Sequence, residues 1–156
     1  MKPILDACCG SRMFWFDRND PRAVFCDNRR IKETLCDGRV LRIEPDILCD
    51  FKALPFPDES FHLVVFDPPH LKIAGPKSWQ AKKYGKLPPD WEEELRQGFA
   101  ECFRVLKTNG TLVFKWSEVQ IPLSKVLPLA EVPPLFGDRR GGNGAQWVVF
   151  MKEASA

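Results

Sequence analysis

The sequence predicts an α/β protein: a Rossmann-like three-layer α/β/α sandwich with a mostly parallel seven-stranded sheet and an antiparallel last strand. Three observations lead there. Short apolar runs recur along the chain and stop on acids, at Asp6, Asp27, Asp50 and Asp67. The last of these runs, Leu63-Val64-Val65-Phe66, is apolar at every position, as a strand buried on both faces must be. An amphipathic stretch over residues 90–106 then separates that run from the next, as in a βαβ crossover.

The 156 residues suit one domain with a proper core, 1–156, and no separate second domain is expected. Apolar content of 44% and charged content of 28% are those of a soluble globular chain. A formal net charge of +2 does not by itself argue for nucleic acid. The six cysteines include no C-x-x-C pair, and most sit in apolar runs. That disfavours zinc or a disulfide framework and suits a reducing cytoplasm. No secretory leader is recognisable and no apolar run is long enough for a bilayer, so a cytoplasmic protein without a membrane partner is expected.

The first strand, Pro3 to Ala7, carries Asp6 and runs into Cys8-Cys9-Gly10-Ser11, a turn of small side chains that a ligand can approach closely. Arg12–Phe16 reads as a helix with Ser11 as its N-cap. Ala23–Asp27 is the second strand. Asp27 falls about 20 residues beyond the first, where nucleotide-binding folds set a carboxylate for ribose hydroxyls. A carboxylate suits a vicinal diol because it accepts two hydrogen bonds at once.

Glu33–Cys36 and Arg39–Ile43 flank Asp37-Gly38, a favoured hairpin turn, and little room is left for a crossover helix before the third strand. That strand, Pro45–Phe51, ends on Asp50 and Phe51, an acid and a ring that could receive a purine. The fourth, Leu63–Phe66, breaks at Asp67-Pro68-Pro69-His70. Neither proline has an N–H for a ladder and both have φ set near −65°. The result is a rigid corner of one carboxylate, free carbonyls and a ring, at the sheet edge where open α/β folds bind ligands. Such an acceptor cluster suits an –NH2 group. A plain strand-ending turn competes as a reading, but four acids at one sheet edge favour a site.

Residues 71–89 form a long polar loop with Lys77, Lys82 and Lys83 among Trp79 and Tyr84. Cations interleaved with aromatics are what a polyanion with stackable bases would meet. Asp90–Leu106 is the principal helix, with Asp90 and Glu93 as a capping-box pair and Trp91, Leu95, Phe99 and Cys102 on one face. Thr111–Trp116 is the fifth strand and Ile121–Leu129 a short helix. Pro134–Phe136 and Gln146–Met151 close the sheet as an antiparallel pair.

In order and endings these elements resemble the class I S-adenosylmethionine-dependent methyltransferases. The Asp67-Pro68-Pro69-His70 corner resembles the [D/N]-P-P-[aromatic] motif of their amino-methyltransferase branch. The likeness is nearest to small phage- or prophage-type methyltransferases related to the adenine-N6 DNA enzymes. It spans Ile4 to Lys152, including the Asp6–Ser11 turn, the Leu54–Phe61 approach and the Arg104–Leu112 segment.

The resemblance implies S-adenosylmethionine as cofactor and no metal. Its methionine part would be held by Asp6, Ala7, Cys8, Cys9, Gly10 and Ser11, its ribose by Asp27 with Asn28, and its adenine by Asp50 and Phe51. Asp67 and the Pro68 carbonyl would accept the target amine's hydrogen bonds, with Pro69 fixing the corner. His70, in place of the usual Tyr, Phe or Trp, would stack on a flipped base and titrate near its ordinary 6.5. Lys77, Trp79, Lys82, Lys83 and Tyr84 would meet the nucleic acid. A second copy or a partner subunit would supply further recognition.

The expected reaction is methyl transfer to an exocyclic amine of a nucleic-acid base, adenine N6 in DNA or RNA first. Cytosine N4, guanine N2 and a protein glutamine amide use similar corners. A partner subunit that keeps the fold without activity is the reading from another class. A nicotinamide dehydrogenase is disfavoured, since the G-x-G-x-x-G fingerprint and a second domain are absent from the sequence.

Overall fold

The apolar runs that stop on acids become neighbouring parallel strands. In the computed structural model, which describes residues 1–75, 78–139 and 144–155, the elements are β1 (Ile4–Asp6), β2 (Ala23–Asp27), β3 (Ile31–Thr34), β4 (Val40–Ile43), β5 (Ile47–Leu48) and β6 (Phe61–Phe66). Then come α1 (Trp79–Tyr84), α2 (Trp91–Val105), β7 (Leu106–Ser117), α3 (Leu123–Val126) with a following 3-10 turn, β8 (Phe136–Gly137) and β9 (Ala145–Met151). The seven-stranded sheet has the order β5-β2-β1-β6-β7-β9-β8. The first five of these strands run parallel, and β9 pairs antiparallel with both β7 and β8. The expected sheet therefore forms, including its antiparallel end. β3 and β4 make a separate hairpin, with Gly38 at φ 84° in its turn.

One face of the sheet is buried under α2. Its Trp91, Leu95, Phe99, Cys102 and Val105 join Leu5, Val64, Phe66, Leu112, Phe114 and Phe150 in a single core, to which α3 and the 3-10 turn add Val126 and Leu129. The helix can sit this close because Gly98 has no side chain: a Cβ there would lie 2.6 Å from Phe66 Cζ and 2.9 Å from Phe51 Cδ1. The opposite face carries a smaller cluster of Cys9, Ala23 and Phe25, packed by Ile4 and Trp15, with no helical residue in it.

The helix expected over Arg12–Phe16 does not form there; the segment is a series of turns. Arg12 takes a left-handed φ of 58°, and its guanidinium donates to the Arg18 and Glu44 carbonyls. Trp15 turns inward, edge-on to Phe25 at 4.9 Å. A five-residue helix has little intrinsic stability, and these side-chain anchors outweigh it. The capping box is also absent: Asp90 precedes α2 without a side-chain cap bond, while Glu93 pairs with Arg96 and Gln97. The third strand is shorter than expected, only Ile47–Leu48, and the fifth is longer. The 71–89 loop contains α1, capped by the Ser78 hydroxyl. Among the described residues no helix is long and apolar enough to cross a membrane.

Candidate active site

The strand order β5-β2-β1-β6 brings Asp50, Asp27, Asp6 and Asp67 to one edge of the sheet, each at or just beyond a carboxyl end. They then diverge in environment. Asp6 is fully buried; it accepts a hydrogen bond from the Trp15 indole at 2.8 Å and one from the Cys8 N–H at 3.3 Å. Burial pushes its pKa up from 3.8 to about 7, against the Trp15 bond and helped by the charge of Asp67. Asp6 thus props the small-residue turn from beneath. Asp27, also buried, accepts from the Gly10 N–H at 2.8 Å through one oxygen, and from the Arg29 N–H and Nε at 3.0 and 3.2 Å through the other. Its carboxylate locks the turn after β1 to the loop after β2.

Asp50 is 45% exposed at its side chain and accepts from the Lys52 N–H. Phe51 departs from the expected adenine platform. Its ring lies in the core, edge-on to Phe66 at 5.2 Å, because a phenyl ring between the sheet and α2 gains more from apolar burial than from the rim. Asn28 remains exposed beyond the end of β2.

The corner after β6 forms as expected from its prolines. Asp67 keeps 24% of its side chain accessible, and burial of the rest raises its pKa from 3.8 to about 6 while Lys115 pulls it down. Lys115 Nζ stands 3.6 Å from Asp67 Oδ2, and 5.1 and 5.7 Å from the Phe14 and Trp147 ring centres. Sequence reasoning missed this lysine. The signal was the register: pairing Phe66 with Phe114 in parallel strands sets the next residues, Asp67 and Lys115, side by side. His70 lies 5.5 Å from the Tyr84 ring and 6.3 Å from Trp116. Its pKa moves below the ordinary 6.5, first through burial and then through Lys115, so the ring is neutral at pH 7 and its titration does not fall at the expected value.

These groups line one cleft of about 430 Å³, open mouth included, between the Cys8–Ser11 turn on one side and Asp67, Pro68 and His70 on the other. Arg29, Lys115, Lys83 and Tyr84 complete it. α1 closes over the cleft: the Arg29 guanidinium donates to the Lys82 carbonyl at 2.8 Å, and Lys82 Nζ pairs with Glu33 at 2.6 Å. Of the residues expected to meet nucleic acid, Lys83 and Tyr84 line the cleft. Lys82 is tied to the hairpin and Trp79 stands outside, 39% exposed. Lys77 lies outside the described residues. Pro69 packs away from the cleft, against Gly85.

Chemically, the cleft offers acceptors for an –NH2 group at Asp67 and Pro68, opposite a turn of small residues that a ligand can approach closely. Asp6 and Asp27 lie buried behind that turn and do not line the cleft. Gly10, at φ 50°, holds the turn in a conformation that side chains rarely adopt, and a Cβ there would meet only the Lys83 carbonyl, at 4.0 Å. These features fit S-adenosylmethionine. The ribose contact expected of Asp27 is not presented to the cleft: its carboxylate is fully buried, with one oxygen taken by the Gly10 N–H and the other by Arg29.

No family model matches the chain, and no curated protein matches it. Solved structures do. The PH0226 protein of Pyrococcus horikoshii is similar with a TM-score of 0.61 at 18% identity, over 97% of this chain and 82% of that one. A SAM-dependent methyltransferase of Methanosarcina mazei is similar with a TM-score of 0.54 at 11% identity, over 99% of this chain and 95% of that one. At such identities the likeness establishes the fold, the Rossmann-like α/β sheet with its antiparallel end.

Proposed function

We propose that the protein is an S-adenosylmethionine-dependent methyltransferase that methylates an exocyclic amino group of a nucleic-acid base, with adenine N6 as the leading target. The observation that carries it is the Asp67-Pro68 corner facing the Cys8–Ser11 turn across one cleft. The fold shared with the Methanosarcina mazei methyltransferase supports it.

The cofactor supplies, when bound, a methyl group activated on a sulfonium; the chain does the rest. Asp67 and the Pro68 carbonyl accept the two N–H bonds of the amine, which fixes the nitrogen and aims its lone pair into the cleft. As nitrogen bonds to the methyl carbon it becomes positive. The Asp67 carboxylate stabilises that charge in a part-desolvated site, where it counts for more than in water. Asp67, with a pKa of about 6, is mostly ionised at pH 7 yet basic enough to take the proton the nitrogen releases. Lys115 keeps it ionised. His70, neutral and held beside Tyr84, offers a ring face to the base.

The test is methyl transfer from labelled cofactor to mixed DNA and RNA, with nucleosides identified by mass spectrometry. N6-methyladenine is expected, and Asp67→Ala should reduce incorporation about 10²–10³-fold. Folded protein that shows no cofactor binding by titration calorimetry would overturn the reading.

A further inference from the structure

Beside the cleft lies a second and larger depression, about 1180 Å³ with its open mouth, between the β3–β4 hairpin and the turns that follow β1. It is polar and mainly cationic. Arg18, Arg39, Arg42 and Lys83 line it, with Glu44 the acid among the lining residues. It is continuous with the cleft, for Gly10, Ser11, Met13 and Lys83 wall both.

The cations are of two kinds. Arg12 is 14% exposed and spent on the Arg18 and Glu44 carbonyls and on Asp46, so it builds the floor. Arg39 and Arg42 are 60% and 56% exposed, and among the described residues their ion pairs are with the exposed Asp37 and Glu44. Pairs so exposed hold weakly, and a phosphate presents a guanidinium with a better bidentate partner. At the end nearest α1, Trp79 is 39% exposed with Arg39 and Lys83 each 5.9 Å from its ring. An aromatic face flanked by two cations is the unit that sequence-tolerant binders of single strands repeat.

We infer that this groove is a track for single-stranded nucleic acid, its arginines taking phosphates and Trp79 a base, and that it leads one nucleotide into the cleft. Only the destination rests on the function proposed above; binding in the groove does not. A duplex would have to flip its target base out of the stack before it reached Asp67, whereas a single strand presents the base already free. DNA and RNA share the phosphates and bases on which the track depends, and the 2′-hydroxyl separates them.

The test uses the full chain and labelled oligo(dT) and oligo(U), followed by fluorescence anisotropy over a salt series. Neither probe has an exocyclic amine, so neither can be a methylation substrate. Binding is expected, tighter for whichever sugar the track prefers. The double variant Arg39→Ala/Arg42→Ala should weaken it at least ~10-fold at about 0.1 M salt and reduce the salt slope by about 1.4, or ~0.7 per lost phosphate contact. Arg18→Ala, away from the hairpin, should weaken it in the same sense, with cofactor affinity and circular dichroism unchanged in each variant.

No binding, or binding indifferent to all three arginines, overturns the inference. So does polyglutamate that competes as well as the oligonucleotides, which would make the groove a site for acidic peptide. Groove-dependent binding without methyl transfer to amine-bearing oligonucleotides would leave the track standing and remove the proposed function. Transfer indifferent to the arginines would do the reverse.

Discussion

Lys115 Nζ sits 3.6 Å from Asp67 Oδ2, on the strand adjacent to the corner, with the Phe14 and Trp147 rings near the ammonium. A cation at this distance is what holds a mostly buried carboxylate near a pKa of about 6 rather than higher. It also makes a charged His70 costlier, so at both polar ends of the corner burial acts first and Lys115 second, favouring the ionised carboxylate and the neutral ring.

Lys115→Met keeps the apolar stem and removes the charge. Activity that needs ionised Asp67 should rise with pH through about 6 in the wild type. In the variant this limb should move upward by about 1–3 units. The pH profile of kcat/KM reads the shift, and an unmoved limb would mean that Lys115 does not act on Asp67.

Asp6 makes stability depend on pH in a direction opposite to most surface acids. Its folded pKa of about 7 lies above the ordinary 3.8, so between those values the folded chain holds a proton the unfolded chain has lost. The stabilisation is complete below 3.8 and is lost as pH rises through about 7. The unfolding free energy of wild type minus that of Asp6→Asn, from urea titrations, should therefore fall as pH rises from 4 to 7, at no more than about 1.4 kcal/mol per pH unit. A constant difference would mean that Asp6 is ionised throughout.

Arg29 joins Asp27 to α1 through the Lys82 carbonyl. Charge-assisted bonds of this kind contribute about 1.5–3 kcal/mol. Arg29→Ala should release the helix, and amide exchange over residues 81–85 should quicken by about 10- to 100-fold. Unchanged exchange would show that the Lys82–Glu33 pair alone holds it.

Gly98→Ala should destabilise the fold by about 1–3 kcal/mol, because the new methyl would meet two core rings, Phe66 and Phe51, inside contact distance. The urea midpoint measures it. A neutral result would mean that α2 can shift outward at little cost.

The legible part of this protein is what depends on near neighbours in the chain. Apolar period set the parallel strands and α2, Asp37-Gly38 set the hairpin, and two prolines set the corner at Asp67. Even the alignment of Asp6, Asp27, Asp50 and Asp67 on one edge follows from strands that each end in an acid. Tertiary structure decided the fates of those acids. Burial raised Asp6 to about 7, Arg29 engaged Asp27, and Asp50 stayed part-exposed beside Lys52. It also drew Phe51 into the core, kept Arg12–Phe16 from becoming a helix, and brought Lys115 to the corner. Charge and burial act over a few ångströms of space between residues distant in sequence, and only the folded chain sets those distances.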